Sequence, residues 1–221
     1  MKMDMNVIKH HLTDALLMGY SAGTLPEAFN LVVATHISLC DECRAQMHTF
    51  DALGGEVMEM SEIAALSADS LTVTLALIRQ DSADAVPICK PAPSNGIFPA
   101  PLRDYAGGDL DAVKWRKIGG GVSQAILKTD KGASARLLRI PAGTAVPGHG
   151  HRGTELTLVL QGAFYDEADR FGKGDIEVAN EDMVHTPIAE EGMDCICLAA
   201  TDAPLRFSAL IPRIAQPFLR I

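Results

Sequence analysis

Five of the chain's 12 prolines, Pro87, Pro91, Pro93, Pro99 and Pro101, crowd into one short stretch. Proline carries no backbone N–H and pushes the residue before it out of the helical region, so an ordinary helix or central strand does not run through such a segment. With Ser94, Asn95 and Gly96 among them, residues 86–104 read as a semi-extended linker. A length of 221 residues suits one large domain or two small ones, and the linker favours two, over 1–85 and 105–221.

The two sides have different periods. Before the linker, Val7, Leu12, Ala15, Leu16 and Tyr20 recur at helical spacing, and Gly19 with Gly23 marks an end. That reading places His10 and His11 in the first helix. Thr24-Leu25-Pro26-Glu27 starts a second helix with a buried segment from Ala28 to Thr35. A third runs from Asp41 to Leu53, stopped or loosened by Gly54-Gly55, and a fourth from about Ser70 to Arg79. Four helices in so few residues make a small bundle with a thin core, which benefits from a metal staple. After the linker, short alternating runs separated by turns predict strands: Val113–Ile118, Gln124–Lys128, Ala135–Ile140, Leu156–Gln161, Ala163–Asp166, Cys195–Ala199 and Arg206–Leu210. Many short strands at regular spacing imply a sandwich or barrel.

Charge divides in the same place. The whole chain carries −9, and residues 1–85 alone hold four basic side chains against twelve acids, a balance of −8. An acidic chain is unsuited to general nucleic-acid binding, which needs a basic surface to displace counterions. The acid excess reads either as a solvated face or as a docking face for a basic partner. No apolar run is long enough for a transmembrane helix, the N-terminus does not read as a signal peptide, and five cysteines at low density suit a reducing cytoplasm.

His36-x3-Cys40-x2-Cys43 is the first chemical motif. On one helix these positions fall within about 60° of each other and present an imidazole and two thiols as one stripe. Zn²⁺ favours four nitrogen and sulfur ligands, so a fourth comes from elsewhere, and the His10-His11 pair supplies candidates. A redox pair and two packed core thiols are the competing readings of the thiols. His11 with His36, Cys40 and Cys43 in a small acidic helical domain resembles the zinc-binding anti-sigma domain. The resemblance covers roughly residues 5–80 and implies Zn²⁺ held by His11, His36, Cys40 and Cys43, with His11 matching the family's first ligand better than His10. It also implies that the domain silences an extracytoplasmic-function sigma factor, and the acidity then faces the basic surfaces by which such factors bind promoter DNA.

The second motif is Gly143-x5-His149-x-His151-x3-Glu155-x6-Gly162. His149 and His151 share one side of a strand, Glu155 starts the next, and His185 lies where a strand returns to the same pocket. Three imidazoles and a carboxylate suit Zn²⁺ or another divalent transition metal. The alternative is that the two histidines are surface residues. The spacing matches the first cupin motif at every defined position. The second motif is looser: Phe171-Gly172-Lys173-Gly174-Asp175 gives its turn and His185 its last ligand, while its proline and the usual Asn are missing. The resemblance implies a jelly-roll-like cupin β-barrel with an interior metal.

The pair of domains resembles the ChrR-type anti-sigma factors over nearly the whole chain. The implied fold is α+β, a zinc-binding helical bundle followed by a cupin barrel. The implied function is regulatory: a 1:1 complex with an extracytoplasmic-function sigma factor in the cytoplasm, released by singlet oxygen or related oxidants sensed through the cupin, without DNA binding. Cys195 and Cys197, two apart on one strand, read as core residues or as oxidisable sensors. The competing function is a metal-dependent cupin enzyme, an oxygenase or isomerase, with an accessory helical domain.

Overall fold

In the computed structural model of the chain, residues 7–81 and 96–207 are described. Residues 7–13 form an extended segment, not the start of a helix. Helix α1 covers Asp14–Ser21 and begins where the Thr13 side chain accepts the Leu16 N–H. His10 and His11 therefore precede the first helix. Helix α2 covers Glu27–Ile37 and α3 covers Asp41–Glu59. Helix α3 runs straight through Gly54-Gly55, where a break was expected. A glycine costs about 1 kcal/mol against alanine in a helix but keeps its backbone donor, so two of them weaken the helix without ending it.

Helix α4 covers Ser70–Asp81. Its residues 71–80 are exposed along their whole length, so the expected four-helix bundle is three packed helices and one that stands apart. Met58 and Met60, at the end of α3, are exposed as well. Most of the Pro-rich linker lies outside the described residues, as does Cys89. Its last part is not extended: Ala100–Ala106 forms helix α5, with Pro101 in the first turn, where its missing N–H is harmless, and Gly107 ending it at φ 75°.

The remaining chain is strands. Six of them form one antiparallel sheet in the order β1 (Arg116–Gly119), β2 (Val122–Ile126), β3 (Ser134–Ile140), β11 (Cys195–Thr201), β5 (Glu155–Gln161), β8 (Ile176–Ala179). Two three-stranded sheets accompany it. One is β10 (Ile188–Ala189), β6 (Ala163–Tyr165), β7 (Arg170–Gly172); the other is β12 (Arg206–Phe207), β4 (His149–Gly150), β9 (Val184–His185). Among the described residues the strands pair as three sheets, not as one closed barrel. Of the run expected from Val113, only Arg116 onward is strand, and the run expected to Leu210 passes outside the described residues after Phe207.

The large sheet is buried on both faces. All seven residues of β11 are buried. Ile196, Leu198 and Ala200 turn outward and join Leu156, Leu158 and Leu160 in a core shared with Leu31, Val32 and Val33 of α2. Cys195 and Cys197 turn inward to Val159, Phe164 and Phe171. Helix α2 is thus the sheet's outer cover, and eight of its residues are buried. Glu27, at its start, fixes the fit: its carboxylate accepts the Tyr105 hydroxyl at 2.8 Å and the Asp130 N–H at 2.5 Å.

Candidate metal centres

The first cluster sits at a junction of elements, not on one helical stripe. His36 is in the last turn of α2, Cys40 is the N-cap of α3 and Cys43 lies in its first turn, where its N–H donates to Cys40 Sγ at 3.4 Å. His11 arrives from the extended N-terminal segment. The four residues offer ligand atoms that all lie within 4.8 Å of one another. His11 Nδ1 is 3.3 Å from Cys40 Sγ and 3.6 Å from Cys43 Sγ, and His36 Nε2 is 3.3 Å from Cys43 Sγ. Glu42 Oε2 stands 3.4 Å from His11 Nε2, an arrangement that orients a metal-ligating imidazole. His10 turns away from this cluster.

The electrostatics suit a cation. Burial and the neighbouring His11 lower the His36 pKa to about 4, against the pull of the Gly174 backbone and Asp175, so its ring is neutral and able to ligate. Burial, helped by Cys40, pushes the Cys43 thiol up to about 12 despite the Leu12 backbone N–H. Two buried thiols facing two imidazole nitrogens have no other charge to share, and a soft divalent cation converts them to ligands with loss of protons.

The second cluster is built from strand ends. His149 and His185 are directly paired residues of β4 and β9, and His151 follows two residues on. His185 Nε2 is 3.2 Å from His149 Nε2 and 3.3 Å from His151 Nε2. Three imidazole nitrogens converging this closely repel one another unless a cation or proton lies between them, so the geometry fits a metal. The outward nitrogens are largely committed. His149 Nδ1–H donates to the Pro147 carbonyl at 2.9 Å, and His185 Nδ1–H faces Asp166 Oδ2 at 2.9 Å and Glu177 Oε1 at 3.0 Å. Burial holds His149 and His151 near pKa 4. Burial also lowers His185, but the hydrogen bonds and charges of Glu177 and Asp166 outweigh it and carry this ring to about 9.

Glu155 is not drawn into the convergence. Its Oε2 lies 3.9 Å from His151 Nδ1, and it accepts the Thr157 hydroxyl at 3.3 Å. Burial raises its pKa to about 7, against the pull of Arg136 and His185. His149, His185 and Glu155 border a cavity of about 340 Å³, lined mainly by apolar side chains such as Val122, Leu138, Phe164 and Phe207, with Arg136 and Glu177 among them. Cys197 also lines it, and its Sγ is 3.5 Å from that of Cys195.

Sequence reasoning missed Asp166 and Glu177, the two carboxylates behind His185. Glu177 had a signal, an acid inside the apolar run Ile176 to Ala179. Asp166 had none, because only folding brings its loop to His185.

The chain matches the ChrR cupin-like domain family over residues 104–203. It is 59% identical to the anti-sigma-E factor ChrR of Cereibacter sphaeroides over 217 residues, 97% of this chain and 99% of the relative. It is also similar to the crystal structure of Rhodobacter sphaeroides SigE in complex with the anti-sigma ChrR, with a TM-score of 0.78 and 58% identity over 89% of this chain and 100% of that chain. An RmlC-like cupin protein from Ralstonia eutropha aligns at 24% identity and a TM-score of 0.41, covering 47% of this chain and 71% of that one.

Proposed function

The chain belongs to the ChrR family of anti-sigma factors, and from that premise we propose that it holds an extracytoplasmic-function sigma factor in a 1:1 complex and releases it when an oxidant such as singlet oxygen is sensed at the cavity histidines. The proposed division is a zinc-binding helical domain over 1–85, a linker over 86–104 and a cupin over 105–221, acting in the cytoplasm. One observation carries the sequestering half of this reading. From the end of α3 through α4 the chain exposes large apolar side chains, including Val57, Met60, Ile63, Leu66, Leu75 and Ile78. Exposed apolar side chains in such number suit a partner interface. The acidic balance around it suits a partner with basic surfaces.

His11, His36, Cys40 and Cys43 are the proposed zinc ligands, and His149, His151 and His185, with Glu155 beside them, the proposed cavity ligands. A zinc ion at the first cluster supplies a structural cross-link, and a divalent transition metal at the second supplies a Lewis-acidic centre. The residues themselves do the rest. Cys40 and Cys43 tie α3 to α2, His11 ties the N-terminal segment to both, and Asp166 with Glu177 sets the tautomer of His185. The enzymatic reading has less support, since the relatives spanning the whole chain are regulators.

Co-expression with a neighbouring sigma factor and size-exclusion chromatography with light scattering tests the reading. The expected result is a 1:1 complex that dissociates after illumination with a singlet-oxygen sensitiser. A chain that binds no sigma factor, or a complex indifferent to the oxidant, overturns it.

A further inference from the structure

The N-terminal segment crosses the turn between β7 and β8 before it reaches the thiol cluster. Asp175, in that turn, accepts the Lys9 N–H at 2.6 Å and the His10 N–H at 3.0 Å through Oδ1, and the Gly172 N–H at 2.8 Å through Oδ2. The Ile176 N–H donates to the His10 carbonyl at 3.3 Å. The His10 ring lies against Phe171 with centroids 4.4 Å apart, its Nε2 is 3.1 Å from Asp169 Oδ2, and its Nδ1 is 3.6 Å from Asp175 Oδ2. Gly174 stands at φ +90°, and a Cβ there would meet Ile8 at 2.7 Å, so the segment lies on this turn only because the residue is glycine. The next residue, His11, is in the thiol cluster.

The same hairpin reaches the cavity histidines from its other side. Asp166, which accepts the His185 Nδ1–H, also accepts the N–H groups of Ala168 at 2.9 Å and Asp169 at 3.1 Å, and its own N–H donates to the Asp169 carbonyl at 3.1 Å. These bonds close residues 166–169 into a small rigid unit. Glu177, the other acceptor of His185, is two residues beyond Asp175 on β8. Each carboxylate that holds His185 is therefore within three residues of a carboxylate that holds His10.

We propose that His10 is a positioning residue through which the cavity histidines act on the thiol cluster. The inference rests on the function proposed above and supplies the connection that function needs. When His185 shifts, Asp166 and Glu177 lose their common donor, the segment from Asp166 to Asp175 loosens, and Asp169 and Asp175 no longer fix His10. His11 then enters the thiol cluster from an unanchored segment. Two discrete arrangements of one hairpin, biased at one end and read at the other, are the physical content of such coupling.

The test uses the full chain in complex with its sigma factor. His10→Ala should retain metal at the thiol cluster and bind the partner within about threefold of the parent, yet need about tenfold more singlet oxygen for half-release. His10→Gln, which keeps a donor toward Asp169, should recover most of that shift. Should His10→Ala lose its metal, Asp169→Ala, on an exposed side chain, takes its place with the same expected shift. A second readout needs no oxidant. In the free chain Asp166→Asn removes the oxygen that His185 faces and keeps one for the Ala168 and Asp169 N–H groups, and it should speed amide hydrogen exchange of residues 7–12 by about tenfold. Half-release at the parental dose, or unchanged exchange at residues 7–12, overturns the proposal. If the parent complex ignores the oxidant while Asp166→Asn still speeds exchange, the release function fails and the coupling stands.

Discussion

The two ligand clusters differ in what holds them before any metal arrives. The thiol cluster joins α2, α3 and an extended segment, and Cys43 is the one fully buried side chain of α3. The rest of that helix is held by the partly buried Met47 and Phe50 and by its contacts with α1 and α2. The imidazole cluster sits on paired strands beside a sheet buried on both faces, so its scaffold is complete without a cation. On the proposed reading a metal would supply folding energy at the first cluster and chemistry at the second.

The largest expected effect breaks this comparison if it fails. Replacing Cys40 and Cys43 together with serine should lower affinity for the sigma factor by at least about 100-fold and reduce helix content by circular dichroism, as loss of a structural zinc site does. Replacing His149 and His151 with alanine should leave affinity within about threefold and abolish oxidant release, since both belong to the buried imidazole cluster and not to the exposed helices. If both pairs lower affinity alike, the division of labour is wrong.

A second contrast, between α2 and α4, sharpens it. Both are apolar helices of similar length, but α2 is spent on the sheet and α4 is not. Leu31→Ala should cost about 2–5 kcal/mol in chemical denaturation, the usual cost of truncating a buried leucine. Leu75→Asp with Ile78→Asp should leave stability within about 0.5 kcal/mol, as exposed substitutions do. The α4 pair should instead weaken partner binding by at least about tenfold by calorimetry, because an apolar anchor is lost from the interface. Unchanged affinity would move the interface elsewhere.

These contrasts also show what was legible in the sequence. Periodicity gave α2 and α3 and most strands, because a two-sided sheet and an apolar helix both write long hydrophobic runs. The same periodicity misread residues 7–12, where Val7 and Leu12 are counted into a helix but lie in a non-helical segment, Val7 exposed and Leu12 buried. It also made a bundle member of α4, because apolar side chains left exposed and those turned to a core look the same in sequence. Ligand residues were legible by spacing, yet their frame was not: the thiol motif fits one helix in sequence and a helix–turn–helix junction in space. His10, beside His11, carries no local sign that it packs on Phe171 and Asp169 and not in the thiol cluster.

Protons sharpen the metal comparison with a smaller effect. In the metal-free chain His36, His149 and His151 stay neutral down to about pH 4, while their unfolded counterparts protonate below about 6.5, so stability rises with pH across that window. Glu155, which holds its proton to about 7, opposes them with one group against three. Above that range the sign reverses, because folded His185 keeps its proton to about 9 and the unfolded ring has lost it. The chelated chain should be most stable near pH 6.5, with slopes on the order of 1 kcal/mol per pH unit on either side. Metal competes with these protons, so the loaded chain should lose the alkaline decline. Thermal melts across pH, with and without chelator, check both, and a chelated chain more stable at pH 9 than at 6.5 would contradict them.

The smallest effect on release is expected at the second thiol pair. Cys195 and Cys197 are fully buried on the inner face of β11, and their sulfurs are 3.5 Å apart. A hydrogen bond to Cys195, then burial, then the carboxylates Glu177 and Glu155 all push the Cys197 thiol well above its ordinary pKa. A protonated thiol is a poor nucleophile, and the reactive form is the thiolate. Among the described residues neither thiol hydrogen-bonds to an imidazole, in contrast to Cys40 and Cys43. Serine at both positions should therefore change the singlet-oxygen dose for half-release by less than about twofold, while placing two hydroxyls in an apolar core should cost about 1–3 kcal/mol of stability. If the serine pair instead holds its partner through full illumination, the sensing group is a thiol facing the cavity, and the histidines are its scaffold.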